Sequence, residues 1–386
     1  MIAAGFAMLA FCVDMTVASL PAMVRYFGTG VSQAQLTLSV FVLAYAFSQL
    51  VYGPLSDRFG RRPTLLGGNL LFLAASVACT LAPTIETLIV ARFFQGIGAC
   101  AWAVVGRAIV RDIHGAEGTA RMLGYIAAGQ SLLIAIVPSI GGQLEQAFNW
   151  RANFALPGAI GAVLFAAAAL FLAESNAHRD PRATEIGQSL RNYRALLSHR
   201  AAWGCTLSNA FSFCCVMAFQ SDASFVLMGL YGVSPREFGL LFSGAILGYI
   251  AGSFITARWV LRIGAQRLLA AGVILGALAG ALMAALALAG VRSVSAIIAP
   301  YFAFMLSIGL SQPAAMSGAI SPFVRMAGAA SAMFGFVQLG LGALAGYLVG
   351  RLHDGTPLPL ALGIGLSSLG AFLAWLLIIR PATARA

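Results

Sequence analysis

Long apolar runs separated by short polar loops make up nearly the whole chain. A run of about 20 apolar residues is long enough to cross a bilayer as a helix. Twelve such runs can be drawn: 2–24, 34–55, 64–82, 87–110, 122–144 and 152–173, then 201–228, 238–257, 268–290, 294–316, 327–350 and 357–379. In lipid a spanning segment must satisfy its own backbone, so continuous apolar runs of this length predict helices and an all-α integral membrane protein. Residues 174–200 form the one long polar stretch and divide the runs into six and six. The predicted organisation is therefore an N-terminal six-helix bundle (1–174), a linker (175–200) and a C-terminal six-helix bundle (201–386). Ile186, Leu190, Tyr193 and Leu197 recur at helical spacing, which predicts an amphipathic helix within the linker. The first run has no basic residue ahead of it and carries Asp14 at mid-span, so it reads as a retained span and not a cleaved leader.

Charge sets the orientation. Only 9% of the 386 residues are charged, 60% are hydrophobic, and the formal net charge is +11. This excludes a soluble enzyme and a disordered chain. All 23 basic residues are Arg. Arg25, Arg151, Arg236, Arg292 and Arg351 fall in one set of loops, Arg92 lies inside the fourth run, and the other seventeen belong to the alternate loops and the ends. The positive-inside rule then places both termini in the cytoplasm. The basic balance marks a membrane face, and no nucleic-acid partner is expected.

Within the runs, buried charge is the sharpest chemical signal. A carboxylate in hydrocarbon costs several kcal/mol unless it is paired, hydrated or protonated. Asp14 therefore reads as a coupling-proton site, with Arg92 in the fourth run as the cation that tunes it. The alternatives are a structural Asp held by backbone or hydroxyl groups, and an Arg that only braces the bundle. Asp222, in the seventh run beside Gln220 and Ser221, either faces a cavity and selects substrate or caps its helix. Amide and aromatic groups near mid-span suit amphipathic small molecules. The pocket candidates are Tyr45, Gln49, Asn209, Phe213, Gln220, Asp222, Tyr249, Tyr301 and Gln338.

The loop after the second run reads Gly53, Pro54, Leu55, Ser56, Asp57, Arg58, Phe59, Gly60, Arg61, Arg62, Pro63. The loop after the eighth reads Leu261, Arg262, Ile263, Gly264, Ala265, Gln266, Arg267 and lacks the Asp. This degenerate repeat suggests two related halves and alternating access around a site between them. Gly53 is expected to let the second helix approach another backbone, and Gly60 and Pro63 to shape a tight turn. Asp57 can lie against a helix N-terminus, while Arg58, Arg61 or Arg62 pairs with Asp112 beside Arg111. In the fifth run Pro138, Gly141 and Gly142 remove bulk and a backbone donor. Gly244, Gly248 and Gly252 in the eighth are spaced by four, so helices five and eight are expected to meet closely between the halves. Gly272, Gly276 and Gly280, and Gly342, Gly346 and Gly350, read as packing only.

Taken together these residues resemble the major facilitator superfamily, specifically its drug:proton antiporter branch of twelve-helix exporters, the Bcr/CflA type. The resemblance rests on residues 53–63, on Arg92 to Ala99 followed by Arg107 to Asp112, and on Pro138 to Gly142 followed by Asn149, Trp150 and Arg151. Asp14 and Met15 followed by Leu20 and Pro21 complete it. The sequence departs from the branch at Ala18, where Pro is usual, and at Asp222, where a small or hydroxyl residue is usual. The resemblance implies the major facilitator fold and a cytoplasmic latch in the loop 53–63 that forms in the outward-open state and breaks in the inward-open one. It also implies a helix five and eight pair that seals during exchange. The expected function is proton-driven export of small amphipathic compounds across a bacterial inner membrane by a monomer. Alternatives are a same-fold uptake or metabolite carrier and a non-transporting membrane sensor. The six Cys all lie in runs and read as small apolar residues. No Walker loop, Gly-x-Ser-x-Gly elbow or paired His spacing occurs, so neither an enzyme nor a cofactor or metal is expected.

Overall fold

A computed structural model describes residues 1–176 and 197–383, without the side chains of 115–121, 123, 124, 127, 128, 131, 132, 324, 325, 327, 382 and 383. The linker positions Ile186, Leu190 and Tyr193 lie outside the described residues. Helix dominates the described residues, with no strand among them. Ten helices are long and apolar enough to cross a membrane, or eleven if one bent pair is counted as a span.

The first half of the chain contains α1 (Ile2–Phe6), α2 (Met8–Val17), α3 (Leu20–Phe27), α4 (Val31–Phe59), α5 (Arg61–Leu81), α6 (Ile85–Ala147) and α7 (Ala152–Phe171). The second contains α8 (Arg200–Ser224), α9 (Pro235–Ile263), α10 (Ala265–Leu288), α11 (Val294–Ile320), α12 (Ala327–Arg351) and α13 (Leu358–Ala374). A π-helical turn, Phe225–Leu230, extends α8, and another, Trp375–Ile379, extends α13. Contacts divide the chain into two compact units, Met1–Ser189 and Leu190–Ala386.

Two expected spans look different in three dimensions. The first, expected as one helix over 2–24, is broken, and α2 and α3 meet at a 62° bend. Pro21 has no N–H to give to the Val17 carbonyl and its ring crowds that carbonyl, so α2 stops at Val17. Ser19 holds the break: it donates to Glu145 and accepts from Asn153 Nδ2 at 2.7 Å. The fourth and fifth spans share the 63-residue α6. Laid straight, a helix of that length would reach about 95 Å. Yet Arg151, just past its C-terminal end, reaches the Ala82 carbonyl just before its N-terminal end at 3.4 Å. The segment therefore passes twice, and its second pass carries the expected span 122–144.

Both units use one packing plan. In the first, the leading pass of α6 packs on α4 and α5, and α5 packs on α7. In the second, α11 packs on α9 and α10, α10 on α13, and α8 on α12. Small residues permit these approaches. A Cβ on Gly248 would lie 2.6 Å from the Phe302 carbonyl oxygen, and one on Gly272 2.7 Å from that of Ser307.

Candidate functional site

Asp14 sits in α2, four residues before the bend, and is only 6% exposed. Arg92, on α6, is fully buried. Its guanidinium donates from Nη2 to the Cys12 carbonyl (3.0 Å), from Nε to the Thr37 carbonyl (3.2 Å) and from Nη1 to Gln95 Oε1 (2.7 Å). It also lies 4.2 Å from the centre of the Phe41 ring, a cation–π contact. The structure thus brings Arg92 to the backbone of α2 two residues from Asp14, and directs its donors to carbonyl and amide oxygens, not to the Asp14 carboxylate. Gln95 extends the network by donating to Ser76 on α5 at 2.9 Å. One buried cation thereby joins α2, α4, α5 and α6. Gln95 was visible in the sequence only as part of a motif; its spacing of three from Arg92 puts both on one helix face.

The α4–α5 junction is a second polar centre. Gly60 alone separates the two helices, at φ 104°, which L side chains rarely adopt. Arg61, with its side chain only 5% exposed, is the hub. Its Nη1 donates to Asp57 and, at 2.7 Å, to Ser56 Oγ, and its Nε donates to Asp112 Oδ2 on α6 at 2.8 Å. Of the three Arg residues proposed as partners of Asp112, Arg61 fills the role. Arg62 donates to the Ala169 carbonyl at 2.8 Å, Arg58 lies over the Phe59 ring, and Arg111 is exposed.

Two expectations here need correction. Gly53 makes no close approach: a Cβ there would meet nothing within 4 Å. Asp57 does not cover the start of α5, the helix N-terminus nearest to it in sequence. That place is taken by Glu174, whose carboxylate accepts the backbone N–H of Arg61 at 2.9 Å and of Arg62 at 3.2 Å. A carboxylate on the first free N–H groups of a helix compensates both the unmet donors and the dipole. Asn176 adds a bond to the Asp57 carbonyl at 3.1 Å.

Of the glycines expected to join helices five and eight, Gly141, Gly248 and Gly252 are taken up by close packing within their own units. A Cβ on Gly141 would lie 2.7 Å from Met15 Cα, so Gly141 seats the second pass of α6, which also carries Pro138 and Gly142, on α2. Gly248 and Gly252 face α11, and Gly244 has open space.

Of the pocket candidates, Tyr45 and Gln49 are buried on α4, and Asn209 and Gln220 on α8. Tyr249 and Gln338 are half-buried, and Phe213 packs against Gly342. Tyr301 sits on α11. It is fully buried and stacks flat on Phe219, ring centres 3.5 Å apart. A cavity of about 670 Å³ in the second unit is lined by Leu241, Ser293, Val294, Ser295, Ile298, Ala299 and Phe302, and by none of the nine candidates. Asp222 is fully buried, with Oδ1 2.7 Å from His353 Nδ1. No spacing in the sequence singles out His353. The six Cys are buried and free.

The profile of the Major Facilitator Superfamily matches residues 2–340. A bicyclomycin resistance protein homolog of Haemophilus influenzae is 28% identical over 95% of this chain and 92% of its own length. A chloramphenicol resistance protein of Pseudomonas aeruginosa is 31% identical over 83% of this chain and 76% of its own length. Among solved structures, a peptide transporter POT in complex with sulfate superposes with a TM-score of 0.77 at 15% identity, covering 99% of this chain and 94% of that one. That similarity speaks to the fold alone.

Proposed function

The chain belongs to the major facilitator superfamily, and we propose that it works there as a proton-coupled exporter of small amphipathic compounds, with Asp14 as the coupling-proton site. That it is a multi-pass membrane transporter follows from the family and the spans. Export of drug-like compounds is supported by relatives named for bicyclomycin and chloramphenicol resistance. The proton site is carried by one observation, a carboxylate sunk to 6% exposure in an apolar helix immediately before a bend.

In this reading Asp14 is neutral when protonated and costs little in its apolar helix. Deprotonated, it requires water, a cation or a polar substrate. Proton and substrate therefore compete, and each shifts the inward–outward equilibrium by its differential affinity for the two states. Arg92 keeps a fixed positive charge near α2 and favours release of the proton at the right moment. The Arg61 centre is the latch: its bonds between the α4–α5 junction and Asp112 form in one state and break in the other. Tyr45, Gln49, Asn209, Phe213, Gln220, Tyr249, Tyr301 and Gln338 remain the proposed substrate contacts. The protein acts as a monomer in the bacterial inner membrane with both termini in the cytoplasm.

A transport screen in proteoliposomes tests the reading. Chemically diverse amphipathic compounds, bicyclomycin and chloramphenicol among them, are offered with and without an imposed pH gradient. The expected result is movement of at least one compound against its own gradient, abolished by a protonophore. Transport that ignores the pH gradient for every compound moved would overturn it.

A further inference from the structure

Asp222 and His353 belong to the Leu190–Ala386 unit, and the network around Asp14 and Arg92 belongs to the Met1–Ser189 unit. Asp222 lies two residues before the end of α8, where the helix passes into the π-helical turn Phe225–Leu230. Single π-turns inside helices often mark functional positions. His353 lies two residues beyond α12. Close packing sets the register that brings them together. A Cβ on Gly342 would lie 2.7 Å from the Phe213 ring, and one on Gly346 would lie 2.6 Å from Ser221 Oγ. Gly346 lies five residues before the end of α12, so the packing of that end on α8 brings the loop that carries His353 to the end of α8. The imidazole is then held between the Asp222 carboxylate and the Phe225 ring, 5.6 Å away centre to centre.

The two ends of this pair meet different surroundings. The Asp222 side chain has no exposed surface, and that of His353 retains 15%. A bare carboxylate at such a depth is costly, and a partner imidazolium offsets the cost. With one proton the pair is neutral overall, whichever of the two groups carries it. Removing that proton leaves the Asp222 carboxylate charged beside a neutral imidazole. Adding a second neutralises Asp222 and leaves the imidazolium without its counter-charge. The pair therefore titrates as a unit.

We propose that Asp222 and His353 form a second proton-binding site, in the Leu190–Ala386 unit, whose bound proton clasps the loop between α12 and α13 to the end of α8. Solvent reaches the site through the partly exposed imidazole. The site is independent of the Asp14 reading: it stands on its own geometry and is tested without transport.

On the loop itself Asp354 also attracts a charged His353, although Thr356 already occupies its carboxylate through N–H (2.9 Å) and Oγ1 (2.6 Å). Arg351, at the end of α12, is exposed, and Arg292, from the turn between α10 and α11, acts on Tyr231. The hydrogen bond to Asp222 holds the His353 imidazole above its ordinary value, against the opposing effect of burial. The sign follows: a raised folded-state value makes the clasp complete below the ordinary histidine range and undoes it as pH rises through the raised value.

The test uses the full chain in lipid nanodiscs with ¹⁵N-labelled histidine, titrated by NMR. Loss of one signal in His353→Gln assigns the resonance against those of His114, His178 and His199. His353 is expected to titrate above the ordinary histidine range and to fall back toward it in Asp222→Asn. Hydrogen exchange across residues 350–357, corrected for the intrinsic pH dependence, is expected to accelerate above the His353 midpoint. In Asp222→Asn it should be fast at every pH. Should that variant fail to fold, His353→Gln carries the exchange arm, since it removes only the loop end of the pair. A His353 that titrates in the ordinary histidine range, or whose midpoint is unmoved in Asp222→Asn, would overturn the proposal. So would a loop that stays protected in His353→Gln.

Discussion

The α4–α5 and α9–α10 junctions share one backbone design and differ in their charges. Each passes from helix to helix through a single glycine at positive φ, Gly60 at 104° and Gly264 at 89°. Aligned on those glycines, Asp57 corresponds to Leu261 and Arg61 to Ala265. The first junction is knit by Arg61 to Asp57, Ser56 and Asp112, and by Glu174 to the start of α5. In the second, Leu261 is 96% exposed and Ala265 has no polar side chain. The glycine thus sets the geometry of the turn, and the ions add a reversible tie to one copy of it. A bond of that kind suits an element that must hold in one state and release in another.

Substitutions can break this comparison in graded steps. Arg61→Ala should have the largest effect, because it strips two carboxylates of their shared cation. A loss of about 3 kcal/mol in unfolding free energy is expected, together with impaired transport, measured by denaturant titration in mixed micelles and by vesicle assay. Gly60→Ala and Gly264→Ala should each cost about 1–2 kcal/mol from backbone strain alone. Similar values at the two sites would confirm that the glycines do one job in both halves. Glu174→Gln should cost about 1 kcal/mol, since the amide still accepts a hydrogen bond but no longer offers a charge to the helix N-terminus. The double change Leu261→Asp with Ala265→Arg grafts the i, i+4 pair onto the bare junction. Without a third element supplying the counterpart of Asp112 it should shift stability by under about 0.5 kcal/mol. A large gain there would show that the pair alone makes the tie.

The alternation of apolar runs and loops carried most of the fold, since a bilayer forces each run into a helix of nearly fixed length. The break in the first span was less visible. Pro21 marks it, but so close to the end of the run that a continuous helix fitted equally well until Ser19 was seen held by Glu145 and Asn153. The hub at Arg61 was legible as a motif, because Asp57, Gly60 and Arg61 are neighbours in sequence. Glu174 and His353 were not, because their partners lie more than a hundred residues away and no local pattern encodes such a pairing. The glycine stripes told which face is smooth but not which neighbour uses it. Gly141 turned to Met15 and Gly252 to α11, where an interface between halves was expected. Arg92 was rightly singled out as a buried cation, yet its partners are carbonyl and amide oxygens that a sequence cannot position.

The central claim is that the Asp14 carboxyl carries the coupling proton. It is tested most directly by reconstituting Asp14→Asn beside the unaltered protein and measuring, in the same vesicles, gradient-driven accumulation and gradient-free exchange of a compound found to be transported. An amide cannot release a proton in this range, so the account predicts that accumulation is lost while exchange persists. Full pH-driven accumulation by Asp14→Asn would contradict it.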